Sequence, residues 1–588
     1  MKLSSYVIDF LASKGVTQVF GMSGGAAVHL LDSVSKHPNI DFTCSQHEQS
    51  AAISADGYAR RTGKLGVAIT TSGPGATNLL TGTCCSFYDS VPTLMLTGQV
   101  ASHRLKGDLD IRQRGFQETD VVSIFETVTK YAVQIKKPEE IRYCLEKAYY
   151  MAFEGRPGTV LIDIPDDFQR AEIDPGTLAG FTPEALPAPD IEAPLHSVME
   201  RFFAAERPAV ILGGGLKTPE CGHDLAALCD RLGAPVLSSW AAVDLLPHNH
   251  PLKIGSFGVY APRIGNYVVQ NADFLLCLGS RLSQNLTGGI LPSFARAAEI
   301  AMVDVSVGEM DKFDGFGIAV SHRVAARMED ALPIIDEYAT HKSPAFTGWH
   351  SQIAQWKDRF GGENYDPEPK PGSVNAYQFI DALSGFVPAG ETIFADTGGN
   401  LTWTCNAFQF KHGQRLHSAW NNTPMGYSLP AAIGAAAAEP DEAFTCLIGD
   451  GGLMICLPEL ATVVKHQMKL RIFLFNNHGH GIQKQTLETW LGANYVGVHG
   501  PSGLAFTDFP AVASSMGLKT VTIDDPAQMQ SQLRQVYAET GPVFVNVEIN
   551  PDQRLYPVLK FGAALEDQLP ALDEKVLEEE MVIPRYSG

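Results

Sequence analysis

The stretch Phe444-Thr445-Cys446-Leu447-Ile448-Gly449-Asp450-Gly451-Gly452 decides how the chain is read, together with Leu457-Pro458-Glu459-Leu460-Ala461-Thr462-Val463-Val464 and Arg471-Ile472-Phe473-Leu474-Phe475-Asn476-Asn477-His478-Gly479. The run ending at Ile448 predicts a buried strand, the glycines break it, and the 457–464 segment predicts a helix. A second apolar strand stops at Asn476-Asn477. This is a βαβ unit whose two strand ends belong side by side at the carboxyl edge of a parallel sheet. Asp450 and Asn477, one at each end, are hard oxygen ligands suited to Mg²⁺, which combines few protein oxygens with water and phosphate oxygens. Gly451 and Gly452 let backbone N–H groups approach a diphosphate at a helix N-terminus. Taken singly, each half is an ordinary turn or strand-end loop; at this spacing the pair reads as a magnesium-diphosphate clamp.

Working outward, 588 residues exceed one hydrophobic core and predict three or four domains. A hydrophobic share of 45% with 19% charged residues describes a soluble globular chain. The net charge of −21, without a Lys/Arg-rich run, argues against a nucleic-acid partner. Ten cysteines contain no CxxC pair and sit mostly in apolar runs, the pattern of reduced thiols. Residues 1–8 enter an amphipathic helix without a basic leader, and no apolar stretch is long enough to span a bilayer, so no membrane association and a cytoplasmic location are expected.

The predicted fold class is α/β, with three doubly wound parallel-sheet domains and a C-terminal arm. Residues 1–180 alternate helices with the short apolar runs 18–20, 42–44, 67–69 and 93–96. A Pro-rich linker at 182–190 precedes a second α/β region, 190–341, which opens on Ala209-Val210-Ile211-Leu212-Gly213-Gly214-Gly215. Another linker, around 364–371, precedes a third, 372–552. The tail, 553–588, reads as an extended arm over the surface, with Glu578-Glu579-Glu580 solvated. The first and third regions share a plan without a residue-level repeat.

Several motifs, in order, resemble those of acetolactate synthase catalytic subunits within the thiamine diphosphate enzyme family. They are His47-Glu48-Gln49, Ala55-Asp56-Gly57-Tyr58-Ala59-Arg60, Thr71-Ser72-Gly73-Pro74-Gly75-Ala76-Thr77-Asn78, Phe116-Gln117-Glu118, and Met425-Gly426-Tyr427-Ser428-Leu429-Pro430-Ala431-Ala432. The GDG and NN pair above completes the set. The resemblance implies thiamine diphosphate, Mg²⁺ and FAD as cofactors. It also implies a homodimer or homotetramer with active sites at the subunit interface, and pyrimidine-binding, FAD-type and diphosphate-binding domains in that order.

Residue by residue, the resemblance assigns Glu48 as the carboxyl partner of the cofactor's pyrimidine nitrogen, the contact that makes the aminopyrimidine a base. It assigns Gln117 to the catalytic side, Met425 as the prop that bends the cofactor, and Gly398, Gly399 and Asn400 to the diphosphate loop. The carbonyl of Gly479 becomes the third metal ligand beside Asp450 and Asn477. Gly452, His480, Gly481 and Ile482 line the remaining cofactor wall. Gly213, Gly214, Gly215, Arg281 and Asp304 match flavin contacts; an empty vestigial fold is the other reading of that region.

Departures from the family bear on the substrate. Thr486 stands where a tryptophan selects a larger 2-oxo acid acceptor, and Gln483 where pyruvate decarboxylases carry a glutamate. A neutral amide cannot supply the proton that releases a simple aldehyde, which favours carboligation. His29 either faces the acceptor or is a satisfied helix histidine. Gly21-Met22-Ser23-Gly24-Gly25 mimics a hydrolase elbow but has no acid-then-histidine partners downstream. The expected substrates are therefore pyruvate and a carbonyl acceptor. The leading reading is transfer of a two-carbon unit to a keto acceptor such as a nucleotide-linked keto sugar. Acetolactate synthase, a pyruvate oxidase-like flavoenzyme and a non-catalytic protein of the same fold are the alternatives.

Overall fold

Strand Phe444–Gly449 pairs in parallel with Leu470–Asn476, from Phe444 opposite Leu470 to Gly449 opposite Phe475. The two ends expected to be neighbours are neighbours. The connection differs from expectation: a helix begins at Asp450 itself and runs to Cys456, and Glu459–Lys465 forms a second one. Extended Gly449 is the N-cap, and Asp450 in the first turn accepts its neighbour's N–H, so the glycines start a helix instead of separating it from the strand.

The computed structural model describes residues 1–588 apart from 185–188, 219–220, 345, 362–366, 368–369, 561 and 588. Much of both Pro-rich linkers therefore lies outside the described residues. Eighteen strands form three six-stranded sheets in which every pairing is parallel. The N-terminal sheet comprises β1 Gln18–Gly21, β2 Asp41–Cys44, β3 Gly66–Thr70, β4 Thr93–Gln99, β5 Tyr131–Gln134 and β6 Thr159–Pro165. The central sheet comprises β7 Pro208–Leu212, β8 Val236–Ser238, β9 Lys253–Ser256, β10 Phe274–Leu278, β11 Glu299–Asp304 and β12 Val320–Ala325. The C-terminal sheet comprises β13 Thr392–Ala395, β14 Arg415–His417, β15 Phe444–Gly449, β16 Leu470–Asn476, β17 Lys519–Ile523 and β18 Val543–Glu548. Inner strands such as β3, β4, β7 and β10 are buried along their whole length, as sheets covered by helices on both faces require.

The outer two sheets share one topology: β2-β1-β3-β4-β6-β5 in the first is matched by β14-β13-β15-β16-β18-β17 in the last. That is the strand order behind the common plan of the two regions. The central sheet, β9-β8-β7-β10-β11-β12, has the doubly wound order that reverses between its first and fourth strands, where such folds bind nucleotides.

The outer units meet through the helices Glu48–Thr62 and Ser428–Ala438, which cross at glycines. A Cβ on Gly57 would lie 2.0 Å from the carbonyl oxygen of Ala431, and one on Gly434 would lie 1.9 Å from that of Ser54. The Ser54 hydroxyl donates to the Pro430 carbonyl at 2.8 Å. One apolar core runs through both units, from Phe20 and Tyr58 to Phe394 and Leu474. The central unit is pinned to the third by Lys217, whose Nζ donates to the Leu416 carbonyl at 2.8 Å and pairs with Asp244 at 2.7 Å.

The tail lies as an arm against the central unit, and part of it is buried there. Leu565 is buried, Glu566 is fully buried against Arg296 at 3.0 Å, and Asn266 donates to the Leu565 carbonyl. Glu578 and Glu579 are exposed, whereas Glu580 is buried and paired with Arg359. Among the described residues, all ten cysteines are free thiols and no helix is long and apolar enough to cross a membrane.

Candidate active site

At the carboxyl edge of the C-terminal sheet, Asp450 is 2% exposed. Its Oδ1 accepts the Gly451 N–H at 2.6 Å and its Oδ2 the Gly479 N–H at 3.0 Å. Burial pushes its carboxyl up to about 7 against the pull of those amides. The turn after β16 passes through His478 at φ +57, a left-handed conformation stabilised by a 2.9 Å bond from its imidazole to Glu548, and swings Gly479 back towards Asp450. One atom of the Asn477 amide then lies 3.2 Å from Asp450 Oδ2 and 2.7 Å from the Gly479 carbonyl oxygen. With NH₂ in that place the amide donates to both oxygens. With oxygen there, three oxygens converge, and a hard cation is the group that satisfies them. The three residues expected as ligands are thus one cluster, and its two hydrogen-bonding states differ by a rotation of one amide. Among the described residues no group of three or more His, Cys, Asp or Glu side chains competes as a metal centre.

Beside this cluster, Gly398 at φ +107 ends the turn after β13 and caps the helix Gly399–Ala407 without a side-chain cap, so its first N–H groups remain available to an anion. Asn400 is buried; its Nδ2 donates to the Thr397 carbonyl at 2.9 Å, and its Oδ1 has no partner. The Met425 Cε and His480 Nε2 both lie 2.6 Å from where a Cβ on Gly451 would stand, so the two side chains flank that glycine and would have to shift for any larger residue. Burial lowers the His480 pKa, which favours a neutral imidazole. Gly481 lies against the Asn477 amide, and Ile482 packs on the C-terminal core. Gln483 is exposed on the helix Gly481–Leu491, while Thr486 bonds back to the Ile482 carbonyl at 3.0 Å.

The N-terminal sheet builds the opposing crevice. Glu48 is the first residue of its helix, half-buried, with Oε2 accepting from Asn78 at 2.9 Å. Gln117, at φ +62, sits over the 71–73 loop with its Cβ 2.9 Å from a Cβ placed on Gly73. His29 Nε2 is 3.6 Å from Asp166 Oδ1, so the imidazole lies beside that carboxylate without a hydrogen bond to it. No hydrogen bond or ion pair among the described residues joins Glu48 or Gln117 to the Asp450 cluster.

Two further residues escape sequence reading. Asp396, fully buried and pushed up to about 7 by burial, accepts the N–H groups of Thr397, Gly426 and Tyr427 and so holds the turn after Met425. Glu459 reaches from the third unit to the Gln46 N–H at 2.8 Å, bracing the segment that presents Glu48. A strand-end acid was the available signal for Asp396; nothing in the sequence pointed to Glu459.

In the central unit the loops after β7 and β10 touch. Gly213 donates to the Leu278 carbonyl at 2.9 Å and Gly215 to the Gly279 carbonyl at 3.0 Å, with exposed Gly214 between them. Thr218, Ser239 and Ser280 carry buried hydroxyls without partners along this edge. Lys312 and Arg156 hold the Glu309 carboxyl down to about 2 against the opposing effect of burial, and Arg281 donates to the same oxygen as Arg156 at 3.4 Å. Asp304 accepts the Ser306 N–H at 2.9 Å, and burial raises its pKa.

Two outer sheets of one topology, one presenting a carboxylate over glycine loops and the other an oxygen cluster beside an uncapped helix N-terminus, are the arrangement that the resemblance to thiamine-dependent enzymes implied. The sequence agrees over three segments: the thiamine pyrophosphate enzyme N-terminal TPP binding domain matches residues 1–124, the central domain 195–330 and the C-terminal TPP binding domain 396–547. Relatives over full length narrow this. The acetolactate synthase isozyme 1 large subunit of Escherichia coli (strain K12) is 30% identical over 565 residues, covering 95% of this chain and 96% of its own. A probable acetolactate synthase large subunit of Methanococcus aeolicus is 30% identical over 587 residues, covering 97% and 95%. That of Lactococcus lactis subsp. lactis (strain IL1403) is 29% identical over 564 residues, covering 95% and 94%. The chain belongs to the acetolactate synthase-like group of thiamine diphosphate enzymes, and it is a carboligase of that group.

Proposed function

We propose that this enzyme decarboxylates pyruvate and transfers the two-carbon unit to a keto acceptor, a nucleotide-linked keto sugar being the acceptor class its departures favour. The observation carrying the mechanism is the convergence of the Asp450 carboxylate, the Asn477 amide and the Gly479 carbonyl at paired strand ends. In this reading those three groups hold Mg²⁺, while Gly398, Gly399, Asn400, Gly451 and Gly452 receive a diphosphate. Thiamine diphosphate supplies an electron sink for the carbon left by CO₂. Glu48 holds a proton at the pyrimidine nitrogen, and Asn78 orients that carboxylate. Met425 would prop the bound molecule, neutral His480 and Ile482 would wall it from water, and Gln117 would stand on the catalytic side. Gln483 contributes no acidic proton, which favours carbon–carbon bond formation over aldehyde release.

In this reading the family resemblance implies a homodimer or homotetramer that completes each site from two copies. The residue ranges 1–180, 190–341 and 372–552 then serve as pyrimidine-binding, flavin-type and diphosphate-binding domains. FAD is proposed for the central crevice, supported by its strand order, by the three partnerless hydroxyls and by Arg281 and Asp304 at its edge. Acetolactate synthase activity, with a second 2-oxo acid as acceptor, is the competing reading, favoured by the full-length relatives.

The test is incubation with isotope-labelled pyruvate and a panel of 2-oxo acids and nucleotide-linked keto sugars, followed by mass spectrometry. A labelled two-carbon adduct of the keto sugar is expected. Acetolactate as the sole product overturns the acceptor assignment, and no pyruvate consumption with cofactors present overturns the reaction.

A further inference from the structure

The loop between β14 and the helix Ser428–Ala438 carries Met425, and the N-terminal unit of the same chain grips it at both ends. At its start, Asp89 accepts the Trp420 N–H at 2.8 Å, the Asn421 N–H at 3.1 Å and the Asn421 side-chain amide at 2.7 Å. At its end, the Tyr427 hydroxyl donates to Asp56 Oδ1 at 2.5 Å. Arg60 joins the two grips, with Nε to Asp56 at 2.6 Å and Nη2 to Asp89 at 2.8 Å, and Ser86 donates to the second Asp56 oxygen at 2.9 Å. The side chains of Asp56 and Asp89 are fully buried, and that of Arg60 is 7% exposed.

We propose that Asp56, Arg60, Asp89 and Tyr427 are positioning residues that set the height of Met425 over Gly451, and hence the bend imposed on the bound cofactor; this rests on the reading of Met425 as the prop. A buried array of two carboxylates and a guanidinium is a poor way to hold two helices together, since apolar side chains of the same volume do so without desolvating charge. What such an array adds is direction, and here its outward bonds go to the two ends of one loop. Between the grips lies Thr423 at φ +46, a conformation that a β-branched residue keeps only where its surroundings dictate it. Asp396 supplies a third hold at Gly426 and Tyr427 from the sheet beneath. Met425 is therefore fixed from both sides, with its Cε directed at Gly451.

The test compares Asp89→Asn, Tyr427→Phe and Met425→Ala with the parent, using two measurements. The first is amide hydrogen exchange across residues 420–427 in the cofactor-free protein. The second is deuterium exchange at the thiazolium C2 of bound thiamine diphosphate, read by NMR after acid quenching. Both clamp variants are expected to expose the loop amides. They should also slow C2 exchange by roughly ten- to a hundredfold, the scale of a misplacement near 1 Å, with pyruvate KM changing far less than kcat. Wild-type C2 exchange in a folded Tyr427→Phe or Asp89→Asn enzyme, alongside slow exchange in Met425→Ala, overturns the clamp and leaves the prop standing. Wild-type exchange in Met425→Ala overturns the prop itself. If Asp89→Asn does not accumulate as folded protein, Tyr427→Phe, which removes one oxygen, decides the matter alone.

Discussion

Replacing Gly57 with alanine places a methyl group 2.0 Å from the Ala431 oxygen, 2.6 Å from its carbonyl carbon and 2.7 Å from its Cα. All three atoms are backbone, so no rotamer change relieves the contact. Non-bonded carbon atoms settle at about 3.5–4.0 Å, so the helices Glu48–Thr62 and Ser428–Ala438 must part by about 1 Å at their crossing. Alanine gains roughly 1 kcal/mol in helix propensity over glycine, whereas overpacking of this kind costs roughly 1–3 kcal/mol, so the contact wins and the variant loses stability. Function suffers more than stability, because the displaced helix begins just after Met425 and a 1 Å error near the chemistry costs about a hundredfold in rate. Thermal denaturation and pyruvate turnover, measured on the same preparation, report the two effects separately. A Gly57→Ala enzyme with the parent's melting temperature and turnover would refute the packing argument and its link to Met425.

Glu48→Gln keeps a hydrogen-bonding oxygen for Asn78 but loses the carboxylate, so the fold should survive while pyruvate consumption falls by roughly 10²–10⁴, the usual range for a general acid–base group; full turnover removes Glu48 from that role. Asp450→Asn should weaken Mg²⁺ binding at least tenfold by calorimetry, and chelation of the metal should weaken thiamine diphosphate binding in the parent; unchanged affinities would mean that the three oxygens do not hold the ion. Glu309 is depressed from 4.5 to about 2 by Lys312 and Arg156, so its contribution is present above pH 4.5 and lost as pH falls towards 2. Solvent screening discounts the effect at this half-buried group, so Glu309→Gln should lower stability by about 1–2 kcal/mol at pH 7, and the gap from the parent should close on acidification in denaturation curves. A gap that is constant with pH would assign the effect to packing.

Much of the site could be read before any strand was paired. Apolar runs ending in Gly449-Asp450-Gly451 and Asn476-Asn477 predicted adjacent strand ends, and they are adjacent because parallel pairing aligns 444–449 with 470–475 without a register shift. The start of the helix at Asp450 was missed because a glycine run ordinarily stops structure, and only the Asp450 bonds to the amides of Gly451 and Gly479 reverse that preference. How far the arm is buried was not legible, because its acidic residues suggest solvent. Glu566 is buried only because Arg296 and Gln270, far away in sequence, wait for it.

By itself the amino-acid order determined the local chemistry: which strand ends carry oxygens, where glycines clear space for a diphosphate, and which carboxylate opens a helix. These are short-range matters, set by neighbours in the chain and by the repeats of helix and strand. Tertiary structure alone decided that the outer sheets share one topology, that Asp396 and Asp89 hold the ends of the Met425 loop, and that Glu459 reaches the backbone before Glu48. Such pairings join residues tens to hundreds of positions apart, and a buried polar group takes whichever partner the packing of helices and sheets brings within about 3 Å.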